Sequence, residues 1–136
     1  MQTFANRAPC TTEIKGHRFG GIPVGGGTDA TAVSPYDPWR SLWWLVTGKT
    51  LDSGPVRDAD QNLSREEALS AYTVGSAWFS LDETSRGKLE PGMLADLAIL
   101  SADYFEVDVD EIPNITAEAT MVGGKFVYTS ETFTQV

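Results

Sequence analysis

Histidine and cysteine are nearly missing from this chain of 136 residues, which has one of each, His17 and Cys10. A lone cysteine excludes an intrachain disulfide and agrees with a reducing, cytoplasmic setting. A lone histidine excludes a zinc or dinuclear centre built from several imidazoles of this chain. Basic residues are scarce too, Lys plus Arg being 10 against 19 Asp plus Glu, for a net charge of -9. A surface of that sign repels phosphate backbones and anionic lipid, so neither nucleic acid nor membrane is an expected partner. No apolar run approaches the roughly 20 residues of a membrane span. The first residues, Met1 to Arg7, lack the apolar stretch of a secretion signal, again the expectation for a cytoplasmic chain.

What remains is globular in character, with 41% hydrophobic and 21% charged residues in a length typical of one domain. Residues 1–16 show no period and form a poorly defined N-terminal segment. Ile22-Pro23-Val24 then reads as a short strand leading into Gly25-Gly26-Gly27-Thr28-Asp29-Ala30. Glycines let the backbone approach other groups closely, and the acid that follows would emerge at the strand's C-terminal end. Asp29 is therefore the candidate general base or metal ligand. Its bland alternative is a turn residue in a glycine-rich loop, which is a common use of aspartate. The run is not a phosphate cradle, because no lysine follows the glycines and the dinucleotide-binding spacing is wrong.

Asp37 and Pro38 suit an N-cap and a first helical position. Trp39, Leu42, Trp43 and Val46 then fall on one helical face, and Gly48 is a stop. These tryptophans read as core, with Trp44, off the stripe, the candidate for a pocket mouth beside Thr28. Ser64-Arg65-Glu66-Glu67 is a capping box that opens a helix running toward Trp78, weakened near its end by Gly75. Beyond residue 80 the chain turns to β: a strand over 95–100, an acidic loop over 101–114, and a hairpin with 118–122 and 125–128 about Gly123-Gly124. The acids of 103–111 lack the glycine and the regular oxygen ligands of a calcium loop, so the loop reads as solvated. No Gly-x-Ser-x-Gly elbow accompanies His17, so a serine triad has no support. The order is that of an α+β chain, divided as 1–16, 17–80 and 81–136.

Four blocks carry a family resemblance. They are Gly26-Gly27-Thr28-Asp29-Ala30; Ser64-Arg65-Glu66-Glu67-Ala68-Leu69 with Tyr72-Thr73 and Ala77; Gly87-Lys88-Leu89-Glu90-Pro91-Gly92 with Ala95-Asp96-Leu97-Ala98-Ile99-Leu100; and Thr120 to Tyr128. In this order the chain resembles the C-terminal portion of the amidohydrolase superfamily, family 3. The resemblance covers about residues 20–129. It implies a fragment of a metal-dependent hydrolase: the last strand of a (β/α)8 barrel, the helices after it, and C-terminal β-sandwich strands.

The family acts on C–N bonds of the amide type and holds a divalent metal, zinc. Asp29 matches its last-strand aspartate, which binds metal and accepts the proton of the attacking water. Asp96 matches a structural position that ties the turn after Gly92 to the sandwich. Met93 stands where the family often has lysine, and the family's histidine ligands have no counterpart here. By itself the chain is thus expected to hold no cofactor and to be inactive. Its expected partner is a complementing barrel fragment or a second copy of itself, since strands without their neighbours leave open edges. The competing reading is a non-catalytic small-molecule-binding or self-assembling module, and a third is a remnant with no function.

Overall fold

A computed structural model describes residues 23–30, 35–51 and 54–134. His17, Cys10, Ile22 and the segment 1–16 lie outside the described residues. Helix α1 is Pro38–Thr47. It starts where the sequence placed it: the Asp37 side chain accepts from the Trp39 N–H at 3.0 Å, satisfying one of the donors that a helix start leaves open. It ends at Gly48, whose φ of 68° is the left-handed conformation that a side chain would resist.

Arg57 completes that end. Its Nη2 donates to the carbonyls of Trp44 (2.6 Å) and Leu45 (2.5 Å), and its Nε donates to Asn62 Oδ1 (2.7 Å). A cation is favoured there because the last carbonyls of a helix carry partial negative charge. Burial lowers the pKa of this guanidinium to about 10, which still leaves it charged at neutral pH.

A second rod follows: α2 (Arg65–Ser70), a π-helical turn (Ala71–Gly75) and α3 (Ser76–Phe79). The capping box forms in both directions, Glu67 N–H to Ser64 Oγ at 3.1 Å and Ser64 N–H to Glu67 Oε2 at 2.9 Å. Where the sequence predicts an α-helix weakened at Gly75, the structure has a wider turn instead.

The main core lies between the helices and the loop that follows β1. Leu42, Trp43, Leu45, Leu63, Ala68, Tyr104, Ile112 and Ile115 are all buried there. Tyr104 and Ile112 correct the reading of 101–114 as a solvated acidic loop. A short 3-10 helix, Val109–Asn114, turns Ile112 inward while its acids stay exposed. Arg65 ties this loop to α2, its Nη1 and Nη2 donating to the carbonyls of Tyr104 (2.5 Å) and Val107 (2.7 Å).

The sheet has three antiparallel strands in the order β1 (Leu97–Leu100), β2 (Ala117–Val122), β3 (Lys125–Thr129). Leu97 pairs with Met121 and Ile99 with Ala119. Val122 pairs with Lys125 across the expected Gly123-Gly124 turn. Asp96 links the hairpin turn to Arg86: Oδ1 accepts from the Gly123 N–H at 2.7 Å and Oδ2 lies 3.5 Å from Arg86 Nε. The mix of helices and antiparallel sheet agrees with an α+β chain.

Candidate functional site

The segment 23–30 departs from expectation in one respect. It forms no strand ladder; among the described residues its backbone bonds to the helical rod rather than to another strand. The Gly26 N–H donates to the Ala71 carbonyl at 2.7 Å. The Ser76 hydroxyl lies 2.8 Å from the Gly26 carbonyl and 3.1 Å from that of Ala71, so its single proton goes to the nearer, Gly26. Both polar groups of Gly26 are thus held by the π turn and the first residue of α3. Ala71 opens the π turn, and its carbonyl is the one that accepts this donor from outside the rod.

The glycines follow from this closeness. A Cβ on Gly26 would run into the Tyr72 ring, and one on Gly75 into the Val24 carbonyl oxygen. On Gly25 it would stand 2.7 Å from Phe79 Cδ2. Cβ atoms do not come this close to other heavy atoms, so a side chain at any of these positions would force the segment, the rod or the facing ring to shift. The Tyr72 ring fills the space under Gly26, and desolvation there raises the pKa of its phenol.

Three residues beyond this clamp, Asp29 has a φ of 55°. That left-handed conformation is one aspartate tolerates better than most residues. Asp29 is half-buried, and Thr28 beside it is too. Trp44, the candidate pocket partner, is placed elsewhere. Its ring lies under the Arg57 guanidinium, 4.4 Å from ring centroid to Cζ, and it helps close the end of α1. Among the described residues an open groove of about 330 Å³ is lined by Trp39, Leu69, Leu100, Asp103, Tyr104 and Phe105 among others, and not by Asp29, Thr28 or Trp44. Of the tryptophans of α1 it is Trp39, on the apolar stripe, that lines this groove, and not Trp44, which the sequence favoured for being off the stripe.

A divalent metal needs several ligands converging on one point. Among the described residues no three of His, Cys, Asp or Glu come together. Asp29 alone does not make a metal site, so no step of chemistry through a metal follows from these residues by themselves.

Comparison with known proteins places the chain. A family model described as amidohydrolase family matches residues 2–128, which takes the match N-terminal to the four motif blocks. The chain is 34% identical over 110 residues to the putative amidohydrolase YtcJ of Bacillus subtilis (strain 168), covering 79% of this chain and 21% of that protein. It is 28% identical over 93 residues to an N-substituted formamide deformylase of Arthrobacter pascens, covering 68% of this chain and 17% of that protein. The chain thus spans about a fifth of the length of these relatives. No solved structure matches it. With the family model covering nearly the whole chain, and Asp29 and the blocks around it inside the matched span, the chain belongs to the amidohydrolase family.

Proposed function

We propose that this chain is one part of a metal-dependent hydrolase acting on amide-type C–N bonds, and that it contributes Asp29 to a site whose remaining ligands come from a complementing barrel. The observation that carries the reading is Asp29 itself, presented in a left-handed conformation just beyond a clamped glycine run, in a chain of this family. The similarity to a formamide deformylase supports amides and formamides as the substrate class to test. Once the barrel is joined, a divalent metal such as zinc would activate water, and the carboxylate of Asp29 would lie within the shared site. The isolated chain is inactive on this reading, since one carboxylate supplies little of the roughly 8 kcal/mol or more that enzymes remove from a barrier.

The test has two arms. The purified chain is assayed with zinc, cobalt and manganese on a panel of N-substituted formamides and amides, with metal content measured. It is then mixed with YtcJ from which the region matched by this chain has been removed, using both the wild-type chain and Asp29→Asn. We expect no turnover and no stoichiometric metal from the chain alone, turnover on mixing, and loss of that turnover with Asp29→Asn. Stoichiometric metal with turnover in the isolated chain would overturn the reading, as would complementation that ignores Asp29→Asn. A second reading, self-assembly of the chain, is favoured by the exposed Phe126, Val127 and Tyr128 of β3. Light scattering over a concentration series distinguishes it, since a monomer at all concentrations would exclude it.

A further inference from the structure

The clamp on Gly26 connects two features that the sequence treats as separate, a glycine run and an irregular helix. In a regular α-helix each carbonyl accepts the N–H four residues on, and an outside donor has to share the carbonyl with it. Here the Ala71 carbonyl, at the start of the π turn, accepts the Gly26 N–H at 2.7 Å, and Ser76, directly after the turn, donates to the Gly26 carbonyl at 2.8 Å. The steric fit repeats the polar one: Gly75, the last residue of the turn, leaves room for the Val24 carbonyl, and Gly26 leaves room for the Tyr72 ring. Two hydrogen bonds and two complementary absences of side chain thus fix one register of the segment 24–26 along the rod. A slip of one residue would bring the Gly25 or Gly27 amide to Ala71 and move Asp29 by about 3.3 Å, the rise of an extended residue.

We propose that the π turn with Ser76 is a positioning device for Asp29, and that Ser76 is a positioning residue that sets where the carboxylate emerges. The functional meaning of that placement rests on the reading of Asp29 given above. The clamp itself does not, and the test separates the two.

Ser76→Ala removes the donor to the Gly26 carbonyl, and Ser76→Thr keeps a hydroxyl at the same place. Amide hydrogen exchange and chemical shifts of the full 136-residue chain are followed by NMR. Loss of one hydrogen bond should speed exchange at Gly26 by about two- to thirteenfold, the factor expected for about 0.5–1.5 kcal/mol. The resonances of Gly27, Thr28 and Asp29 should move, those of β2 and β3 should not, and Ser76→Thr should restore the wild-type pattern. In the complementation assay Ser76→Ala should lower turnover, with recovery in Ser76→Thr. The proposal is overturned if Gly26 exchange and the 27–29 resonances are unchanged in Ser76→Ala, or if exchange rises equally throughout the chain, which would mark only a loss of stability. Should Ser76→Ala fail to fold, Ser76→Cys, which keeps the volume and weakens the donor, carries the same comparison. If Asp29→Asn leaves complementation intact while Ser76→Ala still loosens Gly26, the functional reading fails and the clamp stands.

Discussion

The helical part and the sheet are stabilised in different ways. Between the helices and the 101–116 loop, apolar side chains from distant positions meet in one buried cluster. In the sheet, only Ala119 is fully buried, while Phe126, Val127 and Tyr128 are 40%, 62% and 51% exposed. A three-stranded sheet is held by its ladder and a tight turn, and needs a covered face to add much more. The β-half therefore has regular local structure with little core, and the helical half has a core bought with irregular local structure, including a π turn and a short 3-10 helix. Order in the backbone and depth of burial are separate quantities in this chain.

That contrast can be broken or sharpened by substitution. Ile112→Ala should have the largest effect, about 2–5 kcal/mol, because it empties a fully buried position between α1 and the loop. Urea unfolding checks it; a loss below about 0.5 kcal/mol, the range of ordinary surface changes, would mean that the cluster is not the core.

Gly75→Ala comes next, at about 1–3 kcal/mol, for overpacking against backbone that cannot rotate aside. The φ of Gly75, -63°, suits alanine, so helix propensity alone predicts a gain of about 1 kcal/mol. The sign of the change in thermal midpoint decides between packing and propensity.

Tyr104 makes the core sensitive to base. Burial pushes its phenol up to about 12, with Arg65 opposing the shift. Unfolded tyrosine titrates near pH 10. Between about pH 10 and 12 the unfolded chain releases a proton that the folded chain keeps, so the contribution is intact below pH 10 and is lost as pH rises through that window. The fall in urea midpoint from pH 9 to 11 should be smaller in Tyr104→Phe than in wild type, and equal falls would remove Tyr104 from the account.

The smallest effect is expected at Val127→Thr, within about 0.5 kcal/mol, because the side chain is mostly exposed and threonine keeps the β-branched shape. A loss well above that, growing with protein concentration, would show that a second chain covers β3 and that the sheet has a core after all.

Much of the fold was legible wherever a signal is local. Asp37-Pro38 and Gly48 bound α1, Ser64 with Glu67 opens α2, and Gly123-Gly124 turns the hairpin, since each acts within a few residues of itself. The burial of Tyr104 and Ile112 was not legible, because acids surround both and much of the cover comes from residues distant in the chain, such as Leu42 and Trp43 of α1 and Ala68 of α2. Nor was the place of Trp44: the cation over its ring is Arg57, 13 residues on in a polar loop that carried no helical signal. At the candidate site, Asp29 was singled out by its glycines, but the strand expected before it is an irregular segment clamped to a helix.

The sequence by itself determined the caps, the turns and the family, because these depend on short patterns read in order. It also determined that this chain cannot build a metal site from several imidazoles, since it has one histidine. Only the tertiary structure decided why the glycines precede that aspartate. Gly75 lies far along the chain from Gly25 and Gly26 and packs closely against that segment, and the Ala71 carbonyl that holds Gly26 opens a π turn that no residue pattern announced.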